Sequence, residues 1–285
     1  MNASNASATV IPILLYHSIS AEPAGWIAPY AVTPTTFAQH VELICNSGRT
    51  AITVSALCAA FRGDSPLPSR PVVVTFDDGF ADFADAAAVL ASRNIPSTLY
   101  ATTGALGGRG PRPRDLRLPP APMLDWSQLT ELTELDVEIG AHTHTHRQLD
   151  TMRSTAVGDD IRRSKDMLED ELGREIPSFA YPHGFQSRRI RRVVAAAGHQ
   201  SACAVMNALS SDTDDVFALA RLTVRATTTV QQIAAWLAGG GARVAPYHES
   251  MRTTMWRMYR RARGPRSVRG VFDLRAKEIY ELGRT

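Results

Sequence analysis

Eight residues constrain this chain more than any others: Val72-Val73-Val74-Thr75-Phe76-Asp77-Asp78-Gly79. An apolar, β-branched run that delivers two adjacent carboxylates and a glycine predicts a buried strand ending in a polar turn. In α/β folds, ligands and catalytic side chains gather at the carboxyl ends of strands, so both acids are expected at that edge. Neighbouring buried anions raise one another's pKa unless a cation or strong donors compensate them, and a metal ion is the natural compensation. About sixty residues later, Val137-Glu138-Ile139-Gly140-Ala141 predicts another strand, and it runs directly into His142-Thr143-His144-Thr145-His146. Imidazoles are thereby expected at the same edge as the acids. Two histidines and one aspartate would form a three-ligand site with room for water, as catalytic metal sites do and closed structural ones do not.

In this order and at strand ends, Thr75-Phe76-Asp77-Asp78-Gly79 and His142-Thr143-His144-Thr145-His146 resemble the motifs of the polysaccharide deacetylase family, the NodB-homology or carbohydrate esterase 4 group. The resemblance implies a distorted (β/α) barrel of about seven strands and metal-dependent hydrolysis of the acetamido group of an N-acetylated amino sugar. It makes Asp77 the base and Asp78, His142 and His146 the metal ligands. Zinc suits two imidazoles and a carboxylate, and nickel, cobalt or iron would fit the same donors. Ser178-Phe179-Ala180-Tyr181-Pro182-His183-Gly184 is similar to the family's third motif in its Tyr-Pro-x-Gly form, which implies that the turn aims the Tyr181 backbone N–H at a developing oxyanion. The commoner form carries an arginine that orients the base. Ser178 and Phe179 cannot do so, and Arg221, in Ala218-Leu219-Ala220-Arg221-Leu222-Thr223-Val224, is taken as the replacement guanidinium. The general acid, a histidine in a Leu-x-x-His motif, is expected in a permuted, N-terminal position, at His17 of Leu14-Leu15-Tyr16-His17, with His248 as the fallback. The family's tryptophan-containing fourth motif is not recognisable.

With 285 residues, 44% of them hydrophobic, the chain can bury one large core. Its expected organisation is a polar tail over 1–9, a deacetylase-like domain over 10–240, and a basic helical extension over 241–285. Thr103 to Pro122 interrupts the domain with prolines, glycines and four arginines. It reads as an excursion without a packed element, either a mobile lid or a partner surface, whose cations would suit an anionic substrate group. Thr33-Pro34 predicts the start of a helix, Ser55 the cap of a short one, and Ser154–Leu172 and Val230–Leu237 two amphipathic ones. Asp82 reads as part of a solvated helix face, and the aromatics of 21–34, Trp26 and Tyr30, as either sugar-binding surface or self-packed loop.

A formal charge of +3 is too small to imply a nucleic-acid partner. Cys45, Cys58 and Cys203, far apart and without CxxC spacing, imply reduced thiols rather than a disulfide framework. The tail has no basic-then-apolar leader pattern, so a cytoplasmic location is expected, and with it a soluble acetylated glycoconjugate or oligosaccharide, with an anionic or lipid group as one option. The arginine-rich stripe around Met251, Met255, Trp256 and Tyr259 could touch a membrane surface, although docking on its own domain is the commoner use of such a stripe. Two other functions use the same residues: hydrolysis of another carbon–nitrogen bond, such as a formamide, and carbohydrate binding on a degenerate site.

Overall fold

The computed structural model describes residues 8–108, 111–247 and Met255. His248 and the basic stripe, Met255 apart, lie outside the described residues. Eight strands form one sheet: β1 Ile13–Tyr16, β2 Thr50–Ala51, β3 Pro71–Asp78, β4 Ser97–Ala101, β5 Val137–Ala141, β6 Ser178–Ala180, β7 Ser201–Cys203 and β8 Leu222–Thr223. All pairings are parallel, in the order β7-β6-β5-β4-β3-β1-β8, and β2 joins the start of β3. Consecutive strands β3 to β7 lie side by side, as crossover connections dictate. Among the described residues, seven α-helices provide the layer around them: α1 Pro34–Asn46, α2 Val54–Arg62, α3 Phe83–Ala91, α4 Trp126–Leu132, α5 Ser154–Leu172, α6 Arg188–Ala196 and α7 Val230–Leu237.

The sheet curls until its two ends meet at one stretch of chain. Leu219 exchanges backbone hydrogen bonds with Ala202 and Ala204 beside β7, and three residues later β8 pairs Leu222 with Leu14 and Thr223 with Leu15 of β1. Arg221 sits in that seam. The family-type distorted barrel expected from the two motifs is therefore the observed architecture.

Alternation along β3 separates two cores. Val72, Val74 and Phe76 pack with Phe37, Val41, Phe83 and Leu90 of the helical layer, whereas Val73 packs with Ile13, Tyr100, Ala180, Cys203 and Leu219 in the barrel interior. The interior floor is α2, through Val54, Leu57 and Cys58. Thr75 and Asp77 continue the inward row of Val73, which carries Asp77 to the barrel mouth.

Local chemistry fixes most element ends. Thr33 and Thr53 cap α1 and α2 with their side-chain oxygens, so the cap of α2 is Thr53 and not Ser55, which instead binds half-buried Glu138 through both its N–H and its hydroxyl. Asp125 and Gln128 form a capping box on α4, as do Thr229 and Gln232 on α7. Gly140 is required where β5 passes β4, because a Cβ there would lie 2.5 Å from the Tyr100 ring. Cys58 and Cys203 are buried free thiols, while Cys45 is exposed. Among the described residues, no helix is long and apolar enough to cross a membrane.

Candidate metal centre

Asp77 reaches the mouth of the barrel already paired. Arg221 Nη1 lies 2.7 Å from Asp77 Oδ1 and Nη2 lies 2.8 Å from Oδ2, a two-pronged contact between fully buried groups. The guanidinium is itself fixed, donating from Nε to the Ala204 carbonyl at 3.0 Å and from Nη1 to Thr75 Oγ1 at 3.2 Å. Burial by itself would raise the Asp77 pKa, but Arg221 and then His142 outweigh it and hold the carboxyl below its ordinary value. Asp77 is thus a carboxylate at neutral pH, in a place where an unpaired one would not be.

Asp78 ends the strand in the left-handed region, at φ 78°, and this turn carries its carboxylate away from Asp77's partner and toward the histidines. Its Oδ1 lies 3.0 Å from His146 Nε2 and 3.5 Å from His142 Nε2. Ligand atoms of Asp78, His142 and His146 all fall within 4.8 Å of one another, and all three residues are buried. Ligands about 2 Å from a tetrahedral ion lie roughly 3.3 Å apart, so the cluster is close to what such an ion needs. His142 donates from Nδ1 to the Ala180 carbonyl at 2.8 Å, which leaves the Nε2 lone pair facing the carboxylates, the arrangement a metal-binding imidazole requires. Asp78 Oδ1 and His146 Nδ1 are buried without a hydrogen-bond partner. Burial raises Asp78, but His146 and His142 outweigh it and keep its carboxyl well below the usual range. Burial lowers His142 in turn, and Asp77 and Asp78 more than reverse that. Two ionised carboxylates facing two imidazoles across a buried gap fit a divalent cation.

His17 follows β1 at the same rim. Its ring packs 5.3 Å from Tyr30, which also lies 5.3 Å from the Arg225 guanidinium. Burial lowers the His17 pKa, and Asp78 and Asp77 only partly offset this, so the resting imidazole is neutral at pH 7. The structure thus gathers Asp77, Asp78, His142, His146, His17 and Arg221 around one opening.

Tyr181 differs from expectation. Its backbone N–H donates to the Cys203 carbonyl at 3.1 Å, extending the pairing of β6 with β7, and its hydroxyl donates to the Phe217 carbonyl at 2.8 Å. An amide committed to a strand partner is not an oxyanion donor, so that role is withdrawn; the Tyr-Pro-x-Gly turn braces the closing side of the barrel instead. Gly184 is essential to it, since a Cβ would lie 2.5 Å from the Val205 nitrogen. The His183 ring lies 4.8 Å from that of His146, tilted 60° to it, and His183 has φ 59°. His199 lies at the opposite rim, ahead of β7, with Nδ1 on the Ile176 carbonyl. Asp82 is not a solvated surface acid: it accepts a 2.5 Å hydrogen bond from Ser18 Oγ. Sequence reasoning also passed over the Ala180 carbonyl that fixes the His142 tautomer, which no residue-type signal could reveal because any residue carries one.

Fold and site together define a class: a curled parallel α/β barrel with a buried two-histidine, one-carboxylate cluster beside an arginine-held aspartate. A sequence model of the family described as polysaccharide deacetylase matches residues 64–202, a stretch that holds Asp77, Asp78, His142 and His146 but neither His17 nor Arg221. Over that stretch the chain matches the polysaccharide deacetylase family. It is 22% identical over 215 residues to YxkH of Bacillus subtilis (strain 168), provisionally named a polysaccharide deacetylase, covering 75% of this chain and 71% of that one. Among solved structures, the Streptococcus pyogenes deacetylase PplD, in complex with acetate, superposes with a TM-score of 0.70 at 20% identity, over 80% of this chain and 97% of that one. The polysaccharide deacetylase BC0361 of Bacillus cereus gives 0.68 at 22% identity, over 81% and 69%. At these identities the two superpositions establish the shared fold.

Proposed function

We propose that the protein is a metal-dependent hydrolase that removes the acetyl group from the nitrogen of an N-acetylated amino sugar. One observation carries the reading: a buried Asp78–His142–His146 cluster lies beside an Asp77 kept ionised by Arg221. Binding a sugar needs no such pairing of charges. Asp78, His142 and His146 would hold a divalent cation, most simply zinc, which supplies polarisation of the amide carbonyl and of a water molecule. Asp77 takes the proton that this water loses as its oxygen attacks the carbonyl carbon. Arg221 keeps the base unprotonated until then. As the C–N bond breaks, the nitrogen must be protonated to leave as an amine, and His17, within electrostatic reach of both aspartates, delivers that proton. Because His17 is neutral at rest, it takes up from solvent the proton it delivers to the amine, and the proton held by Asp77 returns to solvent when acetate leaves. The products are acetate and the free amino sugar.

The test is metal content measured alongside acetate release from a panel of soluble N-acetylhexosamine conjugates. Wild type should hold about one metal per chain and release acetate. Asp77→Asn should keep the metal and lose roughly 10²- to 10⁴-fold in kcat, the range for a removed acid–base group, whereas His142→Ala should lose both metal and activity. His17→Ala should keep the metal and stall. Near-native turnover by Asp77→Asn would remove the base from the mechanism, and release of formate in place of acetate from matched substrates would reassign the reaction.

A further inference from the structure

The Pro-, Gly- and Arg-rich excursion after β4 has no role in the chemistry above, yet its backbone is bound to the ligand loop near its start and again at Arg117. Thr102 Oγ1 donates to the His142 carbonyl at 3.4 Å. The N–H groups of Thr103, Gly104 and Arg117 donate to the carbonyls of Thr143, His144 and Thr145 at 3.2, 3.0 and 2.8 Å. Four consecutive carbonyls, from the first proposed ligand to the residue before the second, are thus held by one neighbouring segment. A Cβ on Gly104 would lie 2.3 Å from the His144 oxygen, so the approach is one only glycine permits. Thr103 Oγ1 also meets His144 Nδ1 at 2.9 Å, tying the middle histidine to the excursion.

From the other side, α5 contributes one carboxylate. Asp160, nine-tenths buried on the helix's inward face, accepts from Thr145 Oγ1 at 3.0 Å and from the Thr145 backbone N–H. The loop needs such restraint. Thr143 and His146 both occupy the left-handed region, at φ 66° and 53°, where a β-branched residue is an outlier, and conformations of this kind persist only when their surroundings enforce them. The internal bond from His146 N–H to Thr143 Oγ1, at 2.9 Å, closes the turn but does not orient it against the barrel.

We propose that the backbone of Thr103, Gly104 and Arg117, together with the Asp160 carboxylate, are positioning groups that clamp the 142–146 loop at the spacing a metal requires, so that the 103–122 excursion sets metal affinity. The proposal rests on the metal-site reading given above. It replaces the expectation of a mobile lid with a fixed support at both ends of the excursion.

The experiment is a Zn2+ titration against a chromophoric chelator, with the visible spectrum of the Co2+-loaded protein recorded in parallel. Gly104→Ala and Asp160→Leu should each bind Zn2+ about 10- to 100-fold more weakly than wild type, the usual cost of losing an outer-shell partner, and should alter the Co2+ band. Asp160→Asn, which keeps an acceptor for Thr145, should titrate close to wild type while Asp160→Leu does not; if the side chain only filled space, the similar-sized leucine would serve as well as asparagine. Arg117→Pro provides an independent variant: it deletes the N–H to Thr145 at an exposed side chain, without disturbing the core, and should also weaken binding. If these variants bind Zn2+ as wild type does while His142→Ala does not bind, the clamp is overturned and the metal site stands. If His142→Ala binds as tightly as wild type, the site itself is misassigned and the clamp falls with it.

Discussion

Replacing Arg221 with methionine should cost about 3–5 kcal/mol of folding stability, the penalty for stripping one partner from a buried ion pair. The residue is fully buried, and its two prongs at 2.7 and 2.8 Å are what keeps the Asp77 carboxyl low against burial. Without them burial dominates, and Asp77 moves above its ordinary value. The sign follows. In wild type the depressed Asp77 contributes stability at neutral pH that is lost only as pH falls below the usual carboxylate range. In the variant the raised group contributes its stability at low pH and loses it as pH rises, so the deficit relative to wild type should be largest near pH 7 and shrink on acidification. Urea denaturation of both proteins across pH checks this. The double variant Arg221→Met/Asp77→Asn supplies the decisive arm, because it removes the stranded charge together with its partner and should recover much of the loss. Equal destabilisation of single and double variants would mean that Arg221 acts through packing alone. Arg221→Lys should not substitute, since an ammonium cannot make the two-pronged contact. Activity should fall in step with the stability deficit at neutral pH, because a protonated Asp77 has no base to offer.

Arg221 also shows what the sequence could and could not make legible. The two strands that carry the acids and the histidines were readable because each has an apolar, β-branched run ending in chemistry-bearing residues, both features local to a few positions. The bounds of α5 and α7 were readable for the same reason, from helical segments ended by Gly173 in one case and followed by the Gly239-Gly240-Gly241 break in the other. Arg221 could be nominated as a guanidinium in need of a site, but its placement depends on the last strand returning beside the first, a contact across 144 residues. Tyr181 failed for a related reason. A Tyr-Pro-x-Gly turn announces its backbone shape but not that β7 will claim the tyrosine's amide. Asp82 read as solvated because the pattern on α3 says nothing of Ser18, 64 residues earlier. The described residues of the excursion lack helix and strand, as its composition suggests, but they are not unpacked. Irregular backbone can be as firmly bound as a strand when its N–H groups find carbonyls, and composition does not record where they point.

Acidification between about pH 6.5 and 4.5 should destabilise the protein steeply, above the ordinary range of an aspartate, because it buries neutral histidines far from the metal centre. His40, on α1, is fully buried with Nδ1 3.1 Å from the Tyr16 hydroxyl, and burial pushes its pKa down to about 4. His199 binds the Ile176 carbonyl, and burial, then Lys165, pushes it down to about 3. In both, Nε2 is buried without a hydrogen-bond partner, so protonation would place an unsolvated N–H in the interior. Since the folded values lie below the unfolded value near 6.5, the unfolded state binds the protons first. Stability present above pH 6.5 is therefore lost as pH falls, by about 1.4 kcal/mol per pH unit for each group, or roughly 5 kcal/mol for the pair by pH 4.5. Asp160 works in the opposite sense: burial raises its carboxyl to about 6, so it gains stability as pH falls through that value and offsets about one histidine. Folding free energies at several pH values, for wild type, His40→Gln and His199→Gln, separate these contributions. Each variant should be less stable than wild type at pH 7.5, where the imidazole packs without penalty, and should show a shallower loss toward pH 4.5, by about 1.4 kcal/mol per unit. Parallel curves for wild type and both variants would mean that the acid sensitivity arises elsewhere, with the polar groups of the barrel mouth next to be tested.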